Sequence, residues 1–428
     1  MIGAKLASTQ AMSCSNRAAK EPTSKQFRAA WIDAISSCAR QIVLTAILLA
    51  VALVTPCAAD ASPAIIPDRA LWPDTINSPA EFDRASRAEI LVFAHELAGS
   101  EAFNEGALKD RLGIKAVDIA AVERLRHRLW KRLTENYVIA SHGCVAGEAF
   151  CAGDTDPNDL REAAAAFSGA GIQPRYRPWF DDAVRFQRSY LDELLRLAAV
   201  FPERNSEVET FNDNELTGWD LHDREFLLTF DDGPTHPPGD EAPDAGNTDR
   251  TLAALRDNHI DAAFFAIGEP FQDRLHESSN EALQTLYSGM CVGSHGWVHE
   301  SHAIMPRWQE SIASSSKLIH DTLPQAYVPA FRPPYGQRPP DSGPYLKAQG
   351  VKLFLWNIDS HDWDDNLKVA DVEQRVMSQM LLWRRGIILF HDAFPRAQIV
   401  VPHLVAWLAQ DGVTWADCHA IDWSRRGP

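Results

Sequence analysis

Two adjacent carboxylates, Asp231 and Asp232, end the apolar run Phe226-Leu227-Leu228-Thr229-Phe230, and Gly233-Pro234 turns the chain directly after them. Such a run reads as a buried strand, so both acids arrive at its C-terminal tip. Neighbouring carboxylates repel, and holding two at one tip costs stability unless a cation or a proton compensates. An acidic turn that merely caps a strand is the plainer alternative for an isolated Asp-Asp. Further on, Ser294-His295-Gly296-Trp297-Val298-His299 sets two imidazoles four residues apart. They can converge on one ion if the turn is helical or tight, although histidine pairs also serve as caps and satisfied core groups. Joined by an Asp from another strand tip, they make a divalent-metal site of two nitrogens and one oxygen. Such a donor set leaves positions open for water and substrate.

Three more strand ends carry reactive side chains. Phe331-Arg332-Pro333-Pro334-Tyr335-Gly336 presents a guanidinium on a rigid turn, suited to gripping a carboxylate. Asp359-Ser360-His361-Asp362-Trp363 adds two acids and an aromatic surface, and Leu389-Phe390-His391-Asp392 ends a strongly apolar strand on a histidine. Each has an ordinary explanation alone: a surface ion pair, a core Trp, a capping His. Five polar clusters at five separate strand ends are hard to explain that way together.

The elements that must position them alternate. Apolar runs of strand length recur at Phe226–Phe230, Ala262–Ile267, Met290–Gly293, Ala330–Arg332, Leu353–Ile358, Ile387–Phe390 and Val413–Trp415. Helical segments such as Thr251–Asn258 and Ala370–Leu382 lie between them. This alternation predicts an α/β fold, a parallel (β/α) barrel either regular or distorted, with sites at the C-terminal strand ends. Asp240–Asn247 reads as a polar rim loop. Before the barrel, residues 60–222 read as mainly helical. Ile90, Phe93, Ala94 and Leu97 share one helical face, as do Val122, Leu125, Leu129 and Leu133, and Leu191, Leu194, Leu195 and Ala198. The basic residues along the second of these, Arg124 to Arg132, read as a solvated face.

The five clusters, in this order and spacing, resemble the motifs of the NodB-homology polysaccharide deacetylases, carbohydrate esterase family 4, over about residues 223–420. The resemblance implies a distorted barrel, a divalent cation, most simply Zn²⁺, and hydrolysis of N-acetyl groups on a glycan. It implies Asp231 as general base, Asp232, His295 and His299 as metal ligands, and Arg332 as the group that orients the base. The backbone N–H of Tyr335 would help hold the oxyanion, and Trp363 and Leu389 would wall the acetyl pocket. Asp362 would support either Arg332 or the catalytic histidine, and His391 would be the general acid. The physical chemistry agrees, since amide hydrolysis needs an activated water, a stabilised oxyanion and a proton for the departing amine. One departure stands out. The family usually carries Ser or Thr after the first metal histidine, where this chain has Gly296, so the second ligand is either loosened or steadied by Ser294.

The N-terminus is separate. A polar, basic stretch precedes the apolar run Ile42–Val54, and Pro56-Cys57-Ala58-Ala59 follows. Residues 1–59 therefore read as a signal peptide with an unusually long basic region, or as an N-terminal anchor. A start at Met12 is one alternative. Export to the periplasm or beyond is expected, with membrane contact only through this segment if it stays uncleaved. The division is then 1–59 leader, 60–222 helical domain of unassigned role, and 223–428 deacetylase-like domain. The formal charge of −17 over 428 residues argues against a nucleic-acid partner.

Seven cysteines are present, and four lie beyond the leader. Cys144 and Cys151 are spaced to form a disulfide in an oxidising compartment, whereas Cys291 and Cys418 either pair or stay as buried thiols. Two decoys sit nearby. Ser141-His142-Gly143-Cys144-Val145 resembles the active-site sequence of L,D-transpeptidases, but the expected Arg is missing, the flanks are helical and Cys151 offers a disulfide partner. Asp154-Thr155-Asp156-Pro157-Asn158 begins like a calcium loop, yet Asp159 replaces the required Gly and Ala165 the closing Glu. A helix cap before Leu160–Ala166 is the better reading. The competing functions are an inactive glycan-binding homologue and a Cys144-dependent transpeptidase; the first would usually have lost Asp231 or His391.

Overall fold

The computed structural model describes residues 65–145, 147–151, 156, 159–201 and 210–421. The leader and most of the calcium-loop-like stretch lie outside the described residues. No described helix is long and apolar enough to cross a membrane.

Among the described residues nine parallel strands form one sheet: β1 (Glu215–Leu216), β2 (Glu225–Asp231), β3 (Ala263–Ala266), β4 (Cys291–Ser294), β5 (Tyr327–Phe331), β6 (Lys352–Phe354), β7 (Ile358–Asp359), β8 (Gly386–His391) and β9 (Thr414–Trp415). Their order is β1-β6-β5-β4-β3-β2-β8-β7, with β9 paired to the start of β2. Among the described residues no ladder joins β7 to β1, so the barrel is distorted and open on that side. The run Leu353–Ile358, read from sequence as one strand, is two. The chain leaves β6 after Phe354 and re-enters at Ile358, beside β8 rather than β5. Asn357 makes that turn, its amide oxygen accepting from Ile387 N–H at 2.9 Å and its nitrogen donating to Arg385 O at 3.1 Å.

Side chains alternate across a strand, so one register decides what faces inward. Leu227, Ala263, Phe265, Cys291, Val328, Ala330, Ile387 and Leu389 fill the interior. The next residues of the same parity past these apolar runs are Asp231, His295, Arg332 and His391. The strands thus carry their reactive side chains, in phase with the core, to one end. Gly293 is required in this crowd, because a β-carbon there would lie 2.8 Å from Ala330 O and 3.0 Å from the Phe265 ring.

The helices are α1 (Pro79–Ser100), α2 (Glu105–Leu112), α3 (Ile119–Ala140), α4 (Leu160–Ala166), α5 (Arg177–Val200), α6 (Asn247–Asp257), α7 (Gly268–Glu277), α8 (Asn280–Leu286), α9 (Trp308–Thr322), α10 (Ser342–Ala348), α11 (Val369–Trp383) and α12 (Ala397–Leu408). The three apolar faces expected in the helical segment are all buried. Helix α4 forms where expected, but Asp159 at its N-terminus makes no side-chain cap hydrogen bond. One continuous core runs from these helices to the outer face of the sheet. Its keystone is α11. Trp383 is fully buried against Phe93, Tyr190 and Trp219, and its indole N–H donates to Tyr190 at 2.9 Å. Asn136 of α3 donates to the terminal carbonyls Leu382 O and Trp383 O, which the helix itself cannot satisfy.

Both cysteine pairs are bonded, Cys144–Cys151 and Cys291–Cys418. The first leaves no thiol for a transpeptidase nucleophile. The second joins the start of β4 to the C-terminal turn.

Candidate active site

Asp231 ends β2, Asp232 follows it, and the two are held differently. Asp231 is buried, and its Oδ1 accepts from Arg332 Nη1 at 2.7 Å. Burial pushes its carboxyl up to about 6, with the Arg332 guanidinium pulling the other way. The guanidinium has no exposed surface and spends its other donors on Thr229 Oγ1, Phe354 O and Leu355 O. Thr229 can accept because its own proton goes to Ile388 O at 2.7 Å. Phe265 lies under the cation at 4.3 Å. Arg332 is therefore immobile, and it fixes the carboxylate rather than moving with it.

Asp232 follows in the left-handed region at φ 79°, which turns its side chain away from Asp231. Gly233 N–H, donating to Asp392 Oδ1 at 2.9 Å, pins this turn from below. Asp232 Oδ1 is buried without a hydrogen-bond partner, and His295 Nε2 and His299 Nε2 each lie 3.4 Å from it. His295 Nδ1 faces Arg332 O at 2.8 Å; a carbonyl only accepts, so that nitrogen carries the proton and Nε2 offers a lone pair. Burial, with His299 alongside, holds His295 well below the ordinary imidazole range. Two imidazole nitrogens and an orphaned carboxylate oxygen within 4.8 Å of one another form a donor set that fits a divalent cation.

The loop that carries His299 is steadied in the way Gly296 demands. At φ 87° Gly296 sits where a β-carbon would meet His302 Cε1 at 2.6 Å. Ser294 Oγ accepts its N–H at 3.0 Å, and Ser311 Oγ accepts the Trp297 N–H at 2.8 Å. His302, which burial lowers to about 4, packs beneath as a neutral ring within hydrogen-bond reach of Ser311. Sequence reasoning missed His302, since nothing in its neighbourhood signals a contact made by folding the loop back.

Across the sheet, Asp231 and His391 are register partners on β2 and β8. Asp362 pairs with His391 and not with Arg332: its Oδ1 meets His391 Nδ1 at 2.8 Å and its Oδ2 accepts His391 N–H at 2.9 Å. Ser360 Oγ donates to the same carboxylate at 3.1 Å, and Arg396 fixes the Asp362 carbonyl at 2.7 Å. Desolvation opposes charge on His391, yet the Asp362 carboxylate, with Asp232 and Asp231 further off, lifts it to about 10.

The remaining residues expected at the site surround it. Tyr335 has φ 59° and an exposed side chain whose ring meets His299 at 4.5 Å, and the hydrogen bonds closing its turn run from Gly336 and Gln337 instead of its own N–H. Arg338, fully buried on Glu215 of β1, ties down that turn through Gly336 O at 3.1 Å. Trp363 is 46% exposed beside the His391 dyad, and Leu389 is buried one inward position below His391.

Comparison with known proteins covers part of the chain. The family described as polysaccharide deacetylase matches residues 220–363. That portion of the chain is a polysaccharide deacetylase domain by this match. Its relatives include chitin deacetylase 1 of Saccharomyces cerevisiae, 27% identical over 199 residues, 44% of this chain and 59% of that protein. A peptidoglycan-N-acetylglucosamine deacetylase of Bacillus cereus is 27% identical over 204 residues, 45% of this chain and 68% of that one. The chain thus spans less than two thirds of the yeast relative's length. A solved family 4 carbohydrate esterase from Streptomyces lividans, in complex with acetate, is 25% identical, covering 43% of this chain and 88% of its own, with a TM-score of 0.34. The family match ends at Trp363, so His391 and the helical segment lie outside it.

Proposed function

We propose that the chain is an exported, metal-dependent hydrolase that removes N-acetyl groups from a cell-wall or exopolysaccharide glycan and releases acetate. One observation carries this reading: a carboxylate and an imidazole of opposed proton character flank the donor set Asp232, His295 and His299 from adjacent strands. Those three residues would hold a divalent cation, Zn²⁺ in our reading, which supplies Lewis acidity for an amide carbonyl when bound. Asp231, oriented by Arg332, accepts the proton of the attacking water. His391, kept protonated by Asp362, gives a proton to the departing sugar amine. The Tyr335 N–H meets the developing oxyanion, and Trp363 and Leu389 bound the acetyl group.

The test is acetate release from chitin oligosaccharides, peptidoglycan and an acetylated exopolysaccharide, before and after exhaustive chelation. Release should stop on chelation and return with Zn²⁺. Full release at a metal content near zero would remove the proposed metal role, and no release from any of the glycans would remove the reading itself.

A further inference from the structure

The helical segment reaches the site through one acid. Glu193, half-buried on α5, takes both terminal nitrogens of Arg375 on α11, at 2.7 Å and 3.3 Å. Arg375 is buried and turns its other contacts to the loop after β7: Nε donates to Asp359 O at 3.0 Å, and Nη2 meets His361 Nε2 at 3.1 Å. His361 has φ 56°, a conformation that a residue with a β-carbon adopts at a cost and keeps only when its surroundings enforce it. Its N–H donates to Asp359 Oδ1 at 3.0 Å, and its ring lies 5.1 Å from the Trp363 indole. Contacts therefore run from α5 to an exposed aromatic at the site's edge, across 182 positions of sequence between Glu193 and Arg375.

We propose that Glu193 is a positioning residue: by neutralising and orienting Arg375 it holds His361 in its left-handed turn, and so fixes the face that Trp363 offers to a glycan. This rests on the reading of Trp363 as part of the glycan site. It gives the helical segment a share in substrate recognition. Among the described residues, Glu193 is the one carboxylate hydrogen-bonded to Arg375. Without it the buried guanidinium is left uncompensated, with Asp359 the next acid in reach. A guanidinium drawn to the Asp359 side chain would compete with the bond that holds His361 N–H.

The test uses full-length Glu193→Gln and Glu193→Ala with two readouts. Hydrogen–deuterium exchange of a peptide covering 359–364 should quicken in both variants. For an N-acetylglucosamine tetrasaccharide, KM should rise by about tenfold, equivalent to ~1.4 kcal/mol of binding, while kcat stays within about twofold. Trp363→Ala should raise KM likewise, and the Glu193→Ala/Trp363→Ala pair should add nothing further. A purely structural role would lower stability without this KM–kcat split. Unchanged exchange at 359–364, an unaltered KM, or additive effects in the pair would each overturn the proposal. If the wild-type chain released no acetate from any glycan, the function reading would fail, and the exchange measurement would still decide whether Glu193 orders the loop.

Discussion

Asp231–Arg332 and Asp362–His391 are the same kind of pair, a carboxylate against a cation, and Asp231 and His391 are partners on adjacent strands. They differ in which partner is immobilised. In the first, the cation is sealed in, with its donors committed to two carbonyls and a hydroxyl, so the carboxylate is the end that faces the chemistry. In the second, the carboxylate is sealed in by Ser360 and by two contacts to His391, so the imidazole is the end that faces it. In the proposed mechanism, burying the cation leaves a base, and burying the anion leaves an acid. The proton character of each side follows from which member of the pair is immobilised.

The strongest attempt to break that contrast is Asp231→Asn. Turnover should fall by roughly 10²–10⁴, the usual worth of a positioned general base, while metal content by mass spectrometry stays at the wild-type level. Asp232→Asn should do the reverse, losing metal and recovering part of its rate in excess Zn²⁺. If the two variants exchange these behaviours, the assigned roles are reversed.

A finer probe is Asp362→Asn. His391 stands at about 10 in the folded chain, above its ordinary 6.5, so its protonated form contributes stability in full below about 6.5. That contribution is lost as pH climbs through 10. The alkaline limb of the rate profile should therefore lie near 10 in the wild type and move towards the ordinary histidine range in Asp362→Asn. The melting-temperature gap between the two should shrink as pH rises. A limb that stays in place would show that another group sets it.

The smallest effect expected is from Cys144→Ser/Cys151→Ser. The disulfide belongs to neither side of the site, so acetate release at moderate temperature should be unchanged within the assay's error. A large loss would return Cys144 to the functional residues.

Asp231, Asp232, His295, Arg332 and His391 were legible as a cluster because each ends or directly follows an apolar strand, where parity and a turn signal are local properties. The pairing of Asp362 with His391 was legible only as one of two alternatives, since the choice depends on β7 lying beside β8. That in turn depends on the break at Leu355–Asn357, hidden inside what reads as one apolar run. The two-residue strand β1 escaped notice because it is too short to show a period. Glu193 gave no signal, being an ordinary acid on an amphipathic helix whose partner is distant in sequence. The Cys291–Cys418 bond was open for the same reason.

Helix α11 has a consequence for anyone who would take this molecule apart. A barrel helix commonly shows water one face, yet from Arg375 to Trp383 every residue is buried. The sequence invites a cut near residue 222, with the recognisable family portion kept and the rest discarded. Such a fragment would display a strip of Met, Leu and Trp with no covering, and it should clump in solution. Cutting there without rewriting that helix would leave its apolar side facing water.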